Sequence, residues 1–586
     1  MVDASVRART NAMETSYVPP TTGVTRLLPQ RIAVIAQGDT TSAGYSTTKY
    51  QAESALQVGQ KSGFRGPAYA IMRELRPANG DGVGSIPVDV IMLEDGGTAA
   101  AGDITPSGTA SKTKTYYARI GGVKSKGFAI ASGTIDVSTV CKDLGQACQA
   151  IPHLLGVIGW TYDTVAEDHT GNTGDGTLTE LAASTTTCIP GDWVLECTAA
   201  SENAGTFSLT DPDGTVVSTT VVASAAGAVF DEGGLTGKLT DGETDFAVGD
   251  TFTITVPALT VTVTAPWKGE SGNDLEIELI DELGDLTFAI TQPTGGATNP
   301  TVDAGLAQIG DEWNTFVING LNVSDTTALD AYQTWGEGRW GELVHKPAVV
   351  VTGKTGGTVA ATTSVTKDRT DDYVNSQVPA AGCPNLPAVI AARAVARIAK
   401  VANSEPEAGY QLQRLDTLEP GLDSEQWNHT QRDQILKAGS STTELRNKKV
   451  VLSDVITMYA PDGDDLPAWR WVDDIVKLQN CIYNLDGVFD SEAWAGAVLI
   501  PDGQPVKSAR ARHPSDAKAA IAAMVDLPAD QGIIADRDTT KASISASINS
   551  GNNRRLDWEV TAIISGAVGI TAGKLKFSKY FGGASA

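Results

Sequence analysis

The chain has 586 residues, 41% of them hydrophobic and 19% charged, which is too long for one core and predicts a multidomain protein of roughly three or four domains. Seventy acidic residues against 44 basic ones leave a net charge of −26, which repels phosphate backbones and anionic headgroups and argues against nucleic-acid or membrane-surface binding. The most apolar stretches, such as 389–402 and 560–570, fall short of the roughly eighteen residues a bilayer span needs, and the polar start MVDASVRARTNAMETS lacks a signal peptide's apolar segment.

In chain order, segment 1–30 reads as an arm. Its YVPPTTG stretch at 17–23 carries Val18, Pro19, Pro20 and Gly23, which disfavour a helix as the chain runs on to Leu28. Segment 31–100 reads as the first part of an α/β core, with buried strands at 31–37 (RIAVIAQ) and 88–93 (VDVIML) flanking a helical stretch at 52–75. A β-rich inserted domain follows over 101–268.

Within that insertion the charge changes abruptly. Residues 161–257 hold sixteen Asp or Glu and one basic residue, Lys238, a net of fifteen negative charges in about a sixth of the chain. The segment 171–257 has the period-two pattern of strands, with Phe252, Ile254 and Val256 alternating with threonines and a hairpin signal at Asp213-Gly214. An acidic, solvent-bathed β-sandwich module is predicted there.

The α/β alternation resumes over 269–455, with a strand at 314–318, a helix over 326–340, a strand at 347–352 and a long helix opened by Pro387. A further domain spans 456–555. Its helix follows Trp469 and Trp471, with Val472, Ile475, Leu478, Ile482 and Leu485 predicted as the core stripe. The last segment, 556–586, has strand composition through Phe577. Trp558, Val560 and Ile564 give it one apolar face after Leu556, and Gly566, Gly569 and Gly573 permit a bend. Lys574, Lys576 and Lys579 make a basic tip.

No constellation for catalysis emerges. There is no GxSxG, and GQKSG at 59–63 puts Ser62 one residue off that spacing with no histidine beside it. The glycines of NGDGVGS lack the lysine of a phosphate loop, and Asp462, Asp464 and Asp465 lack the remaining positions of a calcium loop. Five scattered histidines and six cysteines without CxxC spacing predict free thiols and no metal centre or cofactor, although Cys188 and Cys197 could face each other on paired strands.

Taken in order, several motifs resemble the contractile-tail sheath proteins of myoviruses, in particular the Mu-like branch. These are RIAVIAQG at 31–38 after a proline-glycine arm, TAPWKGESGN at 264–273, TQRDQILKAGSST at 430–442, VITMY at 455–459 and the helix that follows. The resemblance implies an α/β core of subtilisin-like topology without the protease's serine motif. It also implies a non-enzymatic subunit that polymerises with itself into stacked hexameric rings in a helical sheath and contracts to drive a tail tube through a host envelope. The implied partners are the tail tube, baseplate and tail terminator proteins, and the implied location is the virion tail, assembled in the host cytoplasm. Neither nucleic-acid binding nor membrane insertion is expected. The resemblance further implies strand exchange through both ends, involving Val18, Pro19, Pro20, Gly23 and Leu28 at one end and Leu556, Trp558, Val560, Ile564, Gly566, Ile570, Lys574, Lys576 and Phe577 at the other. The acidic module departs from the Mu-like pattern and resembles small β-domains of phage decoration proteins. Two rival readings are a subtilisin-like hydrolase whose β-rich insertion binds substrate and a virion decoration protein.

Overall fold

The computed structural model describes residues 27–151, 157–280, 286–461, 469–568, 571 and 574. The described residues divide into a larger unit, within 30–401 and 410–472, and a smaller one, within 27–29, 402–409 and 473–574.

The larger unit is organised by a six-stranded sheet in the order Tyr50–Gln51, Val88–Leu93, Ile32–Gln37, Phe316–Asn319, Val349–Gly356, Asn375–Ala381. All its pairs are parallel except Tyr50–Gln51 with Val88–Leu93. Parallel strands need a crossover and are covered on both faces, which is why these strands are near-continuous apolar runs. Ile32–Gln37, Val88–Leu93 and Phe316–Asn319 are buried along their whole length. On one face, Ala33, Ile35, Ile91, Val317 and Val350 share a core with Leu306 and Ile309 of helix Asp303–Ile309 and with Ala328 and Tyr332 of helix Thr326–Arg339. Helix Pro67–Leu75 packs on Ile32–Gln37, and Gly353 lies so close to the start of helix Pro387–Ser404 that a Cβ there would meet the Pro387 carbonyl oxygen.

One charge is built into the base of this sheet. Asp89 is 1% exposed and receives Arg31 through two hydrogen bonds, Nε at 2.6 Å and Nη2 at 2.8 Å, plus Asn314 Nδ2 at 2.9 Å. The fork-on-carboxylate geometry ties the entrance of the central strand to its neighbour.

The chain between Val88–Leu93 and Phe316–Asn319 builds a nested insertion. Strands Leu286–Thr294, Ala101–Ala110, Ala258–Thr264 and Val157–Tyr162 form an antiparallel sheet against which helix Val137–Gln149 packs. Trp160 is buried beneath that helix and donates its indole N–H to the Cys141 carbonyl at 3.0 Å. A second small sheet joins Ile277–Ile280, Lys114–Ile120 and Val123–Lys124, with Phe128–Ile130 beside Lys114–Ile120.

The acidic module grows out of this insertion as the end of a hairpin. Tyr162 and Ala258 are antiparallel partners, and the Asp163 amide donates to the Pro257 carbonyl at 2.8 Å, so the module's entry and exit are adjacent. Its eight strands fall into two antiparallel groups, Ala166–Asp168, Thr251–Val256, Gly191–Ser201, Ala204–Thr210 and Val216–Ser224 in one and Thr177–Ala183, Leu235–Thr240 and Ala228–Glu232 in the other, joined through the single residue pair Ser224–Thr240. The two groups face each other across one core, with Leu178 and Leu239 on one side and Trp193, Phe252 and Ile254 on the other. The hairpin turn expected at Asp213-Gly214 is present, with Gly214 at φ +81°. Cys188 and Cys197 are both buried free thiols.

In the smaller unit, helix Val472–Phe489 presents a different face from the one its apolar spacing predicts. Val472, Ile475, Val476, Cys481 and Val488 are buried, and so are Lys477, Gln479, Asn480 and Asn484, while Leu478, Ile482 and Leu485 are only partly covered. The helix is enclosed on more than one side. Its lower half packs with Met524 and Val525 of helix Pro514–Asp530 and with Ile533 and Ile534.

The Arg31–Asp89 pair generates a test. Asp89→Ala leaves a quarter-exposed guanidinium without its main partner, and should cost roughly 3 kcal/mol, the low end for breaking a buried pair. Equilibrium denaturation of the larger unit's transition measures it, and a loss below about 1 kcal/mol would mean that Glu312, 3.0 Å from Arg31, compensates.

Candidate functional site

The expected inter-subunit residues at the C-terminus begin in a hairpin of the same chain. Leu556–Glu559 pairs antiparallel with Ser545–Ile548, and Trp558 stacks on Phe489 with ring centroids 5.6 Å apart. Within the chain the strand ends at Glu559, and Trp558 remains 39% exposed. Pairing resumes at one point. Ile564 bridges Ile534, the Ala535 amide donates to the Ile563 carbonyl at 2.8 Å, and the Ser565 amide to the Ile533 carbonyl at 3.0 Å.

Beneath that bridge lies a buried ammonium. Lys477 is fully buried, and its Nζ donates to Asp473 Oδ2 at 3.0 Å, Asp474 Oδ1 at 3.1 Å and the Ser565 carbonyl at 2.7 Å. Three acceptors match the three protons of an ammonium, the condition under which a buried charge is tolerated. Burial and the neighbouring Asp473 push the Asp474 carboxyl above its ordinary value, against the pull of Lys477. Among the described residues beyond Ser565, exposure rises. Gly566 is exposed with no atom within 4 Å of a would-be Cβ, Val568 is 78% exposed, and Lys574 is exposed.

The N-terminal arm reaches the same helix one turn further on. Leu28 is buried, and its amide donates to Asn480 Oδ1 at 2.9 Å. Lys477 and Asn480 are i, i+3 neighbours, so Leu28 and Ser565 are held on adjacent turns of one helix face. Leu556 and Trp558 sit at the far end of this helix, about 18 Å away at 1.5 Å per residue from Lys477 to Phe489. Val18, Pro19, Pro20, Gly23, Ile570, Lys576 and Phe577 lie outside the described residues, as do Asp462, Asp464 and Asp465. Lys477, Asp473, Asp474 and Asn480 were not among the expected site residues. Their signal was present in VDDIVKLQN, where two carboxylates precede a lysine by four and three positions within an apolar helix.

The second motif-bearing region lies at the carboxyl ends of the parallel strands. The order of the central sheet reverses between Ile32–Gln37 and Phe316–Asn319, the place where open α/β sheets hold ligands. Here the TAPWKGESGN turn docks. Trp267 is fully buried and donates to Ser271 Oγ at 3.0 Å, Ser271 Oγ donates to Gln37 Oε1 at 3.2 Å, and Gln37 Nε2 donates to the Lys268 carbonyl at 2.5 Å. Gly269, at φ +115°, has no room for a Cβ, which would stand 2.7 Å from Asn299 Oδ1. Close by, burial pushes the Asp274 carboxyl up to about 6, opposed by Lys354.

Against known proteins, no family model matches the chain. It is 28% identical over 300 residues to the Mu-like prophage FluMu tail sheath protein of Haemophilus influenzae, a stretch covering 49% of this chain and 58% of that protein. The chain thus spans less than two thirds of that relative's length. Among solved structures, the sheath tail protein from Desulfitobacterium hafniense aligns over 95% of this chain and 100% of its own at 12% identity and a TM-score of 0.40. The sheath tail protein from Listeria innocua aligns over 93% and 94%, at 12% identity and a TM-score of 0.41.

The Lys477 cluster has a pH signature. Lys477→Met keeps the side chain's bulk but leaves Asp473 and Asp474 facing each other, so the smaller unit should lose about 3–5 kcal/mol at pH 7. A carboxyl whose folded pKa is raised takes up a proton on folding, so the loss should shrink as pH falls from 7 towards 5. Thermal unfolding of variant and parent across that range checks it; a pH-independent loss would contradict the assignment.

Proposed function

We propose that this chain is the structural subunit of a contractile tail sheath, polymerising with itself around a tail tube and contracting to drive the tube through a host envelope. The observation that carries the reading is the 300-residue match to the FluMu tail sheath protein, which agrees with the motif order in the sequence. The anchoring of Leu28 and Ser565 on neighbouring turns of one helix supports it. A subunit that stays linked through large rigid-body movements needs arms that leave from a fixed root, and Ser565 and Leu28 are suited to be those roots. In this reading the exchanging C-terminal segment starts after Ser565, and Trp558 and Val560 serve its base.

The tube, baseplate and terminator are the other partners, the virion tail is the location, and the rings are hexameric in a helical stack. Heterologous contacts that do not close on one ring generate such filaments. The core needs no catalysis for this task. Its ligand crevice is the place where the Trp267–Ser271 contacts fasten the chain to itself, which favours the structural reading over a hydrolase.

Electron microscopy of the purified chain should reveal hollow tubes; protein that remains monomeric at high concentration would overturn the proposal. Removing residues 567–586 should leave a folded, soluble monomer that builds no tubes, and normal tubes from this truncation would overturn the arm assignment.

The acidic module is proposed to lie on the sheath's outer surface, where water and salt screen its charge. Because Tyr162 and Ala258 are already strand partners, replacing 163–257 by a two-residue Asn-Gly turn should preserve both the fold and tube formation. Loss of tubes by a variant with native circular dichroism would place the module in the lattice contacts.

A further inference from the structure

Four aromatic side chains from separate parts of the larger unit meet at its surface. Trp340 ends helix Thr326–Arg339, and its ring centroid lies 5.0 Å from that of Trp469 and 6.0 Å from that of Tyr373. Tyr373 in turn lies 5.9 Å from Trp469 and 6.3 Å from Tyr459. All four are only partly covered. They are also firmly held. Tyr373 packs inwards on the core of the central sheet, while Thr457 Oγ1 donates to the Trp469 carbonyl at 2.9 Å and accepts from the Tyr459 amide at 3.3 Å. The indole N–H of Trp340 is buried without a hydrogen-bond partner.

The turn after Trp340 continues this surface outwards, with Leu343 97% exposed and Val344 38%. Rigid aromatic residues beside a fully exposed leucine have the composition of an interface centre. The rim is acidic. Glu337, Glu342 and Asp371 are exposed, whereas Arg339 and Arg369 are buried, the first donating to the Glu312 carbonyl and the second to Asp330 and Asp372. Burial, and after it Glu337 and Asp372, raise the Tyr373 hydroxyl above its ordinary value, so the negative potential of the rim reaches the rings.

A second copy of this chain, with a net charge of −26, brings mostly like charge to such a rim. One segment is the exception. Beyond Glu559 the sequence has no acid, and residues 574–586, KLKFSKYFGGASA, carry three lysines and three aromatic residues. From Ser565, which Lys477 holds, fourteen residues lead to Lys579, up to roughly 45 Å of extended chain and more than the width of a small domain.

We propose that Trp340, Tyr373, Tyr459 and Trp469, with Leu343, form the surface on which residues 577–581 of a second copy dock. The aromatic residues of that segment cover the rings and Leu343, and Lys579 faces Glu337 on the rim. The inference rests on the sheath reading for its partner and deepens it by naming the surface that receives the arm.

Isothermal titration of the full chain with a synthetic peptide of residues 571–586, at low salt, tests the surface without requiring tubes. Binding is expected, weakened at least about tenfold by Leu343→Glu in the chain or Lys579→Glu in the peptide, with the second loss largely restored by Glu337→Lys in the chain. Leu343 is almost fully exposed, so Leu343→Glu should fold as the parent does, which circular dichroism checks. In tubes grown from a mixture of isotopically light and heavy chains, a photoreactive benzoylphenylalanine replacing Leu343 should cross-link to residues 577–586 in mixed light–heavy pairs. No peptide binding up to about 1 mM, or an affinity that Leu343→Glu leaves unchanged, would overturn the inference even where tubes form. Cross-links that reach only other segments would overturn it as well. Peptide binding of the expected pattern by a chain that never forms tubes would support the surface while removing the sheath reading.

Discussion

The parallel pairing of Ile32–Gln37 with Phe316–Asn319 is the constraint on which the larger unit depends. Ile32 meets Val88 on one side and Phe316 on the other, so the strand at the centre of the sheet is completed only after the entire insertion has been made and the chain has returned. The insertion therefore closes on itself at the Thr98–Ala297 bridge before helix Asp303–Ile309 carries the chain back across the sheet to Phe316. Nested antiparallel pairs achieve this closure. Ala101–Ala110 pairs with both Leu286–Thr294 and Ala258–Thr264, and Val157–Tyr162 pairs with Ala258–Thr264 in turn, so each excursion is closed by the strand that started it.

Much of this was legible in the residues. Buried parallel strands are apolar along their length, so RIAVIAQ and VDVIML identified themselves, and the threonine alternation at 251–256 marked the module's half-buried strands. Other features depend on partners far away in sequence. That the module's two strand groups close on one core depends on Leu178 sharing it with Phe252, which no local pattern encodes. The buried polar face of helix Val472–Phe489 was missed because lysine, glutamine and asparagine ordinarily mark solvent. Lys477 is buried only because Asp473, Asp474 and the Ser565 carbonyl converge on it. Val560 and Ile564 carry strand propensity, and the pairing their own chain offers them is a hairpin ending at Glu559 and a single bridge at Ile564.

Charge is distributed along the same lines as the topology. The module carries most of the chain's net negative charge, yet it touches the helix beneath it through a cation: Lys142 lies 2.6 Å from Asp213 Oδ1, and Gln146 donates to Asp213 Oδ2 at 2.8 Å. The hydrogen bond from Lys142 holds the Asp213 carboxyl below its usual range. A hairpin turn that is chemically ordinary within the module thus also sets its orientation on the domain that bears it. Because this contact is partly exposed, ionic strength weakens it without touching the covalent hinge at Tyr162 and Ala258.

That hinge has a kinetic meaning. For the sheet that holds Val157–Tyr162 and Ala258–Thr264, the intervening chain is formally a long loop whose closure entropy would slow the pairing. The module has its own core and brings its two ends together when it folds. If it folds first, the two host strands meet as though joined by a tight turn, and that pairing closes at the cost of a simple hairpin. An insertion that looks like a burden on the sequence would then leave the folding of its host almost unchanged, which is the condition under which such modules can be acquired, exchanged or lost at a single position in a chain.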